Sequence, residues 1–135
     1  KEVKNQERTL REKALRILEF LNLIELRDAY AQELSGGQKK LLELARVLMA
    51  DPRIILLDEP GAGVNPMLMK EIVARILQLK EEGMTFLLIE HDMDLVLSLC
   101  HPVIVLTEGK KLTEGPFEEI RKDPRVLEAY LGKRQ

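Results

Sequence analysis

The 135-residue chain contains no apolar run long enough to cross a bilayer as a helix, which takes about 20 consecutive apolar residues. Its single cysteine, Cys100, rules out an internal disulfide. A reducing compartment is the natural setting, with Cys100 serving as a small apolar side chain. No charged segment leading into an apolar stretch opens the chain, so no secretory signal is expected. Neither sign of charge dominates: 21 Lys and Arg face 23 Asp and Glu, a net charge of -2, and the two signs are interleaved along the chain. That excludes the basic stripe of a nucleic-acid binder, and nucleic acid is not an expected partner. Internal repeats and low-complexity segments are also absent. What is present, 45% hydrophobic and 33% charged residues, is the balance of one soluble globular domain. The charged opening "KEVKNQER" is the one stretch expected to be a ragged edge.

Apolar positions Leu10, Ala14, Ile17, Leu18 and Leu21 repeat with the spacing of one helical face. A looser segment through Asp28 and Tyr30 leads to Ser35. From there Leu41, Leu44, Ala45 and Leu48 predict a second helix that starts at the glycines and ends at Asp51 and Pro52. The run Ile54 to Leu57 in "RIILLDEP" predicts a strand buried on both faces of a parallel sheet, and "TFLLIEH", residues 85 to 91, repeats the design. Between them Asn65 and Pro66 read as helix cap and first helical position. Ile72, Ile76 and Leu79 read as a buried face, and Gly83 as a C-terminal cap. Strand, helix and strand make a βαβ unit. A short helix from about Asp92 to Cys100 follows, then a hairpin turning near Gly109 and Lys110, then two short helices. The fold class is α/β with a helical N-terminal portion.

Ligands of open α/β sheets bind beyond the carboxyl ends of the strands, where this chain places Asp58 and Glu59 after one strand and His91 after the other. Adjacent carboxylates there can divide the work of phosphoryl transfer: Asp58 holding Mg²⁺ through its water shell, Glu59 orienting or deprotonating an attacking water. His91 is placed to contact a terminal phosphate. In "LSGGQKKLLELAR", residues 34 to 46, Ser35 and the N–H groups of Gly36, Gly37 and Gln38 open a helix and form an anion site. Each feature alone has a plainer reading: a polar loop start, a satisfied structural histidine, a serine cap with a flexible entry.

In order along the chain, "LSGGQ", "IILLDEP" and "IEH" resemble the ATP-binding subunits of ABC transporters. The resemblance covers the whole chain. It implies an incomplete P-loop NTPase fold of the ABC type, with residues 1–34 part of the helical subdomain and residues 35–135 the C-terminal portion of the ATPase core. It also implies that Ser35, Gly36, Gly37 and Gln38 form the signature loop that completes the nucleotide site of an opposite subunit. Asp58 then corresponds to the Walker B aspartate near Mg²⁺, Glu59 to the catalytic base, His91 to the switch histidine, and Gly63, Val64 and Asn65 to the D-loop. Asn65 stands where the family usually has aspartate. "DEPGAGVNP", "IEHDMDLV" and "DPRVLEAYLG" are most similar to the ATPases of branched-chain amino acid uptake, with lipopolysaccharide export as the near alternative.

What the family pattern has and this chain lacks is a Walker A loop, G-x-x-x-x-G-K-[ST], to cradle the phosphates. The first glycine is Gly36, and Gly109–Lys110 and Gly132–Lys133 are followed by Lys and Arg. The expectation is a C-terminal portion of an ABC ATPase that binds ATP and Mg poorly alone and forms a non-native or swapped dimer. Its parent is expected to pair with a second ATPase subunit, as homodimer or heterodimer, and with membrane permease subunits on the cytoplasmic face of the membrane. The competing expectation is a non-catalytic interaction module that lends its signature face to a complete ATPase. A DNA-repair ATPase is disfavoured by the absence of a coiled-coil insertion or basic stripe.

Overall fold

The computed structural model describes residues 2–131, and the side chains of residues 130 and 131 are outside the description. The chain divides into two compact units, residues 1–89 and 90–135.

The first unit opens with helix α1 (Glu2–Phe20). The helix runs through the charged opening that the sequence suggested would be ragged. Glu, Lys, Arg and Gln are good helix formers even where nothing buries them, and Arg8 and Glu12 pair across one turn. Asn22 ends α1 in the left-handed region, φ 56°. Its N–H bonds the Glu19 carbonyl and the Leu23 N–H bonds that of Leu18, so the last carbonyls are satisfied without a glycine. Leu21 and Leu23 anchor this exit in the core. Two 3-10 turns, Ile24–Leu26 and Ala31–Glu33, carry the chain to helix α2 (Gly36–Leu48).

Helix α2 buries Leu41, Leu44, Ala45 and Leu48. Its C-terminal end is gripped by Lys13, whose Nζ donates to the Met49 carbonyl at 2.8 Å and also reaches the Asp51 carboxylate. A cation there also suits the negative end of the helix dipole. Strand β1 (Ile54–Asp58) and strand β2 (Thr85–Ile89) pair in parallel, with Ile54 opposite Thr85 and Asp58 opposite Ile89. Helix α3 (Pro66–Glu81) is the crossover and buries Ile72, Ile76 and Leu79. Gly83, φ 94°, ends it through bonds from its own N–H to Lys80 and from Met84 to Leu79.

The strands depart from expectation in one respect. Ile55 is buried, but on the opposite face Ile54, Leu56, Leu87 and Ile89 are 53%, 69%, 50% and 60% exposed. An apolar run predicts two covered faces only when layers exist on both sides. Among the described residues one face of this pair is uncovered.

The second unit contains helix α4 (Met93–Leu99), strands β3 (Val103–Thr107) and β4 (Lys110–Gly115), and helices α5 (Phe117–Ile120) and α6 (Pro124–Leu131). β3 and β4 form an antiparallel hairpin joined by Glu108 and Gly109. Both have positive φ, 48° and 75°, as a two-residue turn matched to strand twist requires. Leu95, Val96, Leu99, Ile120 and Val126 make the buried set of this unit.

Candidate functional site

Ser35 is extended and its Oγ accepts from the Gln38 N–H at 3.3 Å, while Gln38 Oε1 accepts from the Ser35 N–H at 2.9 Å. This reciprocal pair is a capping box. It occupies the Gln38 N–H that the sequence had assigned to an anion site, and with Gly37 buried, Gly36 is the exposed N–H position of that first turn. The two glycines differ. A Cβ on Gly36 would meet nothing within 4 Å, whereas one on Gly37 would lie 1.8 Å from Leu68 Cδ2 and 2.8 Å from Leu68 Cγ. A side chain at position 37 would therefore force Leu68 of α3 to shift, and Gly36 is the glycine with open space around it.

Asp58 ends β1 and is exposed. Glu59 follows with φ 44°, a left-handed conformation that costs a residue with a Cβ about 1–2 kcal/mol. It is held there by its main chain: its N–H donates to the Ile89 carbonyl at 2.9 Å, and its carbonyl accepts from Ala62 N–H at 3.0 Å. The Lys40 ammonium approaches the same carbonyl at 3.4 Å. Strain that the surroundings hold in place is a mark of functional positions. Lys40 rises from α2, the helix that Ser35 caps, so α2 and the end of β1 meet at Glu59. Gly63, φ 71°, turns the chain toward Asn65, whose Oδ1 accepts from the Leu68 N–H at 3.0 Å. Asn65 thus acts as a helix cap, a role that aspartate or asparagine fills equally.

His91 lies in the second unit, where its side chain is exposed. The N–H groups of His91 and Asp92 both donate to Glu90 Oε2, at 3.0 and 3.3 Å. Asp92 in turn accepts from the Asp94 and Leu95 N–H groups and caps α4. Glu90, Lys40 and Leu68 were passed over in the sequence, where a glutamate before a histidine, the second of two adjacent lysines and a leucine in a helix carry no signal of their own.

Among the described residues no cluster of three or more His, Cys, Asp and Glu side chains could hold a metal. One exposed carboxylate, Asp58, fits Mg²⁺ only if phosphate oxygens and water complete the shell, which is how that ion is commonly held. No helix among the described residues is long and apolar enough to cross a membrane.

Residues 1–62 match the ABC transporter family model, and residues 110–134 match that of the branched-chain amino acid ATP-binding cassette transporter. A probable branched-chain amino acid transport ATP-binding protein, LivG of Archaeoglobus fulgidus, is 47% identical over 127 residues, covering 94% of this chain and 49% of that protein. Residues 1–62 thus carry the ABC transporter family pattern, and 94% of the chain is similar to an ABC-type transport ATP-binding protein. A lipopolysaccharide export ATP-binding protein, LptB of Acidithiobacillus ferridurans, is 40% identical over 121 residues, 90% of this chain and 50% of that protein. The crystal structure of MJ1267, an ATP-binding cassette of an ABC transporter in its ADP conformation, superposes with a TM-score of 0.85 at 45% identity. It covers 92% of this chain and 50% of that one. The chain therefore spans about half the length of the ABC relatives it matches, and its α/β order of parallel strands and helices is that of a partial ABC cassette.

Proposed function

We propose that this chain is the signature-bearing portion of an ABC ATPase subunit that couples ATP hydrolysis to transmembrane transport, of branched-chain amino acids in the first instance. The observation that carries it is Glu59, held past the end of β1 in a left-handed conformation by the Ile89 carbonyl, Ala62 and Lys40. In this reading Ser35, Gly36, Gly37 and Gln38 form the signature loop that meets the terminal phosphate of ATP held by an opposite subunit. Asp58 steadies Mg²⁺ through water, Glu59 orients and deprotonates the attacking water, and His91 contacts the phosphate being cleaved. Gly63, Val64 and Asn65 form the D-loop, and residues 1–34 belong to the helical subdomain. The subunit pairs with a second ATPase subunit and docks on permease subunits at the cytoplasmic face of the membrane.

The 135 residues hold no G-x-x-x-x-G-K-[ST] sequence, so the chain by itself is expected to bind Mg-ATP weakly and turn it over negligibly. Mixing it with a Walker A-bearing half of a cassette tests the reading. Hydrolysis should appear on mixing and be nearly abolished by Glu59→Gln, with nucleotide binding retained. Normal turnover with Glu59→Gln removes the general-base assignment. A second reading is favoured by the uncovered apolar face of Ile54, Leu56, Leu87 and Ile89: a non-catalytic module that seats this face and its signature on a complete ATPase. In that case the mixture shows no new hydrolysis, and the chain inhibits an intact ATPase instead.

A further inference from the structure

Glu90 is a carboxylate whose side chain is only 2% exposed, one residue before the candidate phosphate-contacting histidine. Burying a charged carboxylate is unfavourable unless its oxygens receive hydrogen bonds, and here Oε2 receives two from consecutive main-chain N–H groups, His91 at 3.0 Å and Asp92 at 3.3 Å. Two consecutive N–H groups directed at one oxygen restrict the backbone dihedrals between them, and so the direction in which the His91 side chain leaves the chain. On the far side of His91 the chain is fixed again, because Asp92 Oδ1 accepts from Asp94 and Leu95 at 2.9 and 3.2 Å. His91 is thus an exposed side chain on a backbone held from both sides.

We propose that Glu90 is a positioning residue for His91, its buried carboxylate holding the turn that presents the imidazole to a nucleotide phosphate. The proposal deepens the ABC ATPase reading and rests on it for the identity of the phosphate. The nearer ring nitrogen, Nδ1, is 3.9 Å from Glu90 Oε2, beyond hydrogen-bond distance, so the hold is exerted through the main chain.

The experiment is NMR of the ¹⁵N-labelled 135-residue chain in three forms: unaltered, Glu90→Gln and Glu90→Ala. His101, the only other histidine, is the internal reference. In Glu90→Ala, hydrogen exchange at the His91 and Asp92 amides should quicken by about tenfold or more, as expected when local protection is lost. The His91 imidazole correlations should move to averaged, solvent-like positions while those of His101 stay. Glu90→Gln keeps an acceptor oxygen of the same reach and should restore both. The Leu95 and Val96 amides report whether α4 remains folded. If Glu90→Ala loses them, the glutamine form decides: a held His91 supports the proposal, and an averaged one with α4 intact overturns it. An unchanged His91 ring in a folded Glu90→Ala chain overturns it outright. No nucleotide is present in this measurement, so failure of the ATPase reading in the mixing assay and failure of this proposal show up separately.

Discussion

Glu59 and Glu90 occupy matching places, each the first residue past a strand of the parallel pair whose ends, Asp58 and Ile89, face one another. They solve opposite problems. Glu59 keeps its carboxylate exposed and has its backbone held by others in a strained conformation, φ 44°. Glu90 buries its carboxylate and uses it to hold the backbone of the two residues that follow. One glutamate has its backbone fixed by the groups around it, and the other fixes the backbone of the residues that follow it. Equal residue type at equal position therefore says little about role until burial and φ are known.

The contrast is broken most strongly by removing each side chain in turn. Glu90→Ala removes the charged acceptor shared by two main-chain N–H groups, and a hydrogen bond to a charged group contributes about 1.5–3 kcal/mol. A loss of about 2 kcal/mol in urea denaturation is expected. Glu59→Gly removes the Cβ that makes a left-handed φ unfavourable and should raise stability by about 1 kcal/mol, while ending any turnover in the mixing assay. Stability changes of the same sign at both positions would show that the two glutamates are not opposites.

Gly36 and Gly37 sharpen the point at the start of α2, because they too look interchangeable in sequence. Gly37→Ala drives a Cβ into Leu68, and overpacking of this kind costs about 1–3 kcal/mol. Leu68→Ala in the same chain should recover part of that loss, since it removes the atoms in the way. Gly36→Ala meets open space and should stay within about 0.5 kcal/mol of the unaltered chain, as surface substitutions do. Thermal melts of the four chains check all three statements. A Gly37→Ala penalty that Leu68→Ala leaves untouched would mean that the packing of α2 on α3 is not its source.

How much of this was legible in the sequence depended on whether the cause was local. Asn65 with Pro66, Gly83 after α3 and Asp92 before α4 each carry their reason within four residues, and their elements sit where the pattern places them, while the hairpin turn expected near Gly109 and Lys110 falls one residue earlier, at Glu108 and Gly109. Asn22 and Asp51 also take positive φ at helix ends, but they announce it less clearly than glycine because most asparagines and aspartates do not adopt it. The exposed face of β1 and β2 was not readable, since an apolar run records that a residue favours burial and not what covers it. At the candidate site, Ser35, Asp58, Glu59 and His91 stood out by residue type and order. The burial of Glu90, the reach of Lys40 and the contact of Gly37 with Leu68 are long-range or against type, and only coordinates display them.

The smallest expected effect comes from a second carboxylate that holds a turn, this time with an exposed arginine as its partner. Asp123, just before α6, accepts from the Arg125 guanidinium at 2.7 and 3.1 Å and from the Arg125 N–H at 2.9 Å. These bonds, with the positive charge of Arg125, hold the Asp123 carboxyl below the usual carboxylate range. A carboxyl with a lowered folded-state value stabilises its surroundings above the unfolded value, and that contribution is lost as the pH falls through the folded value. The first turn of α6 should therefore be intact at neutral pH and loosen only below the ordinary carboxylate range. Carbon-detected titration of the Asp123 carboxyl should show its low midpoint, and Arg125→Ala should raise it toward the ordinary value. The effect on overall stability should be slight, because the Arg125 partner is 61% exposed and an ion pair with a solvated partner is screened and contributes little. A stability loss on Asp123→Ala as large as that of Glu90→Ala would show that burial is not what separates a structural carboxylate from a decorative one in this chain.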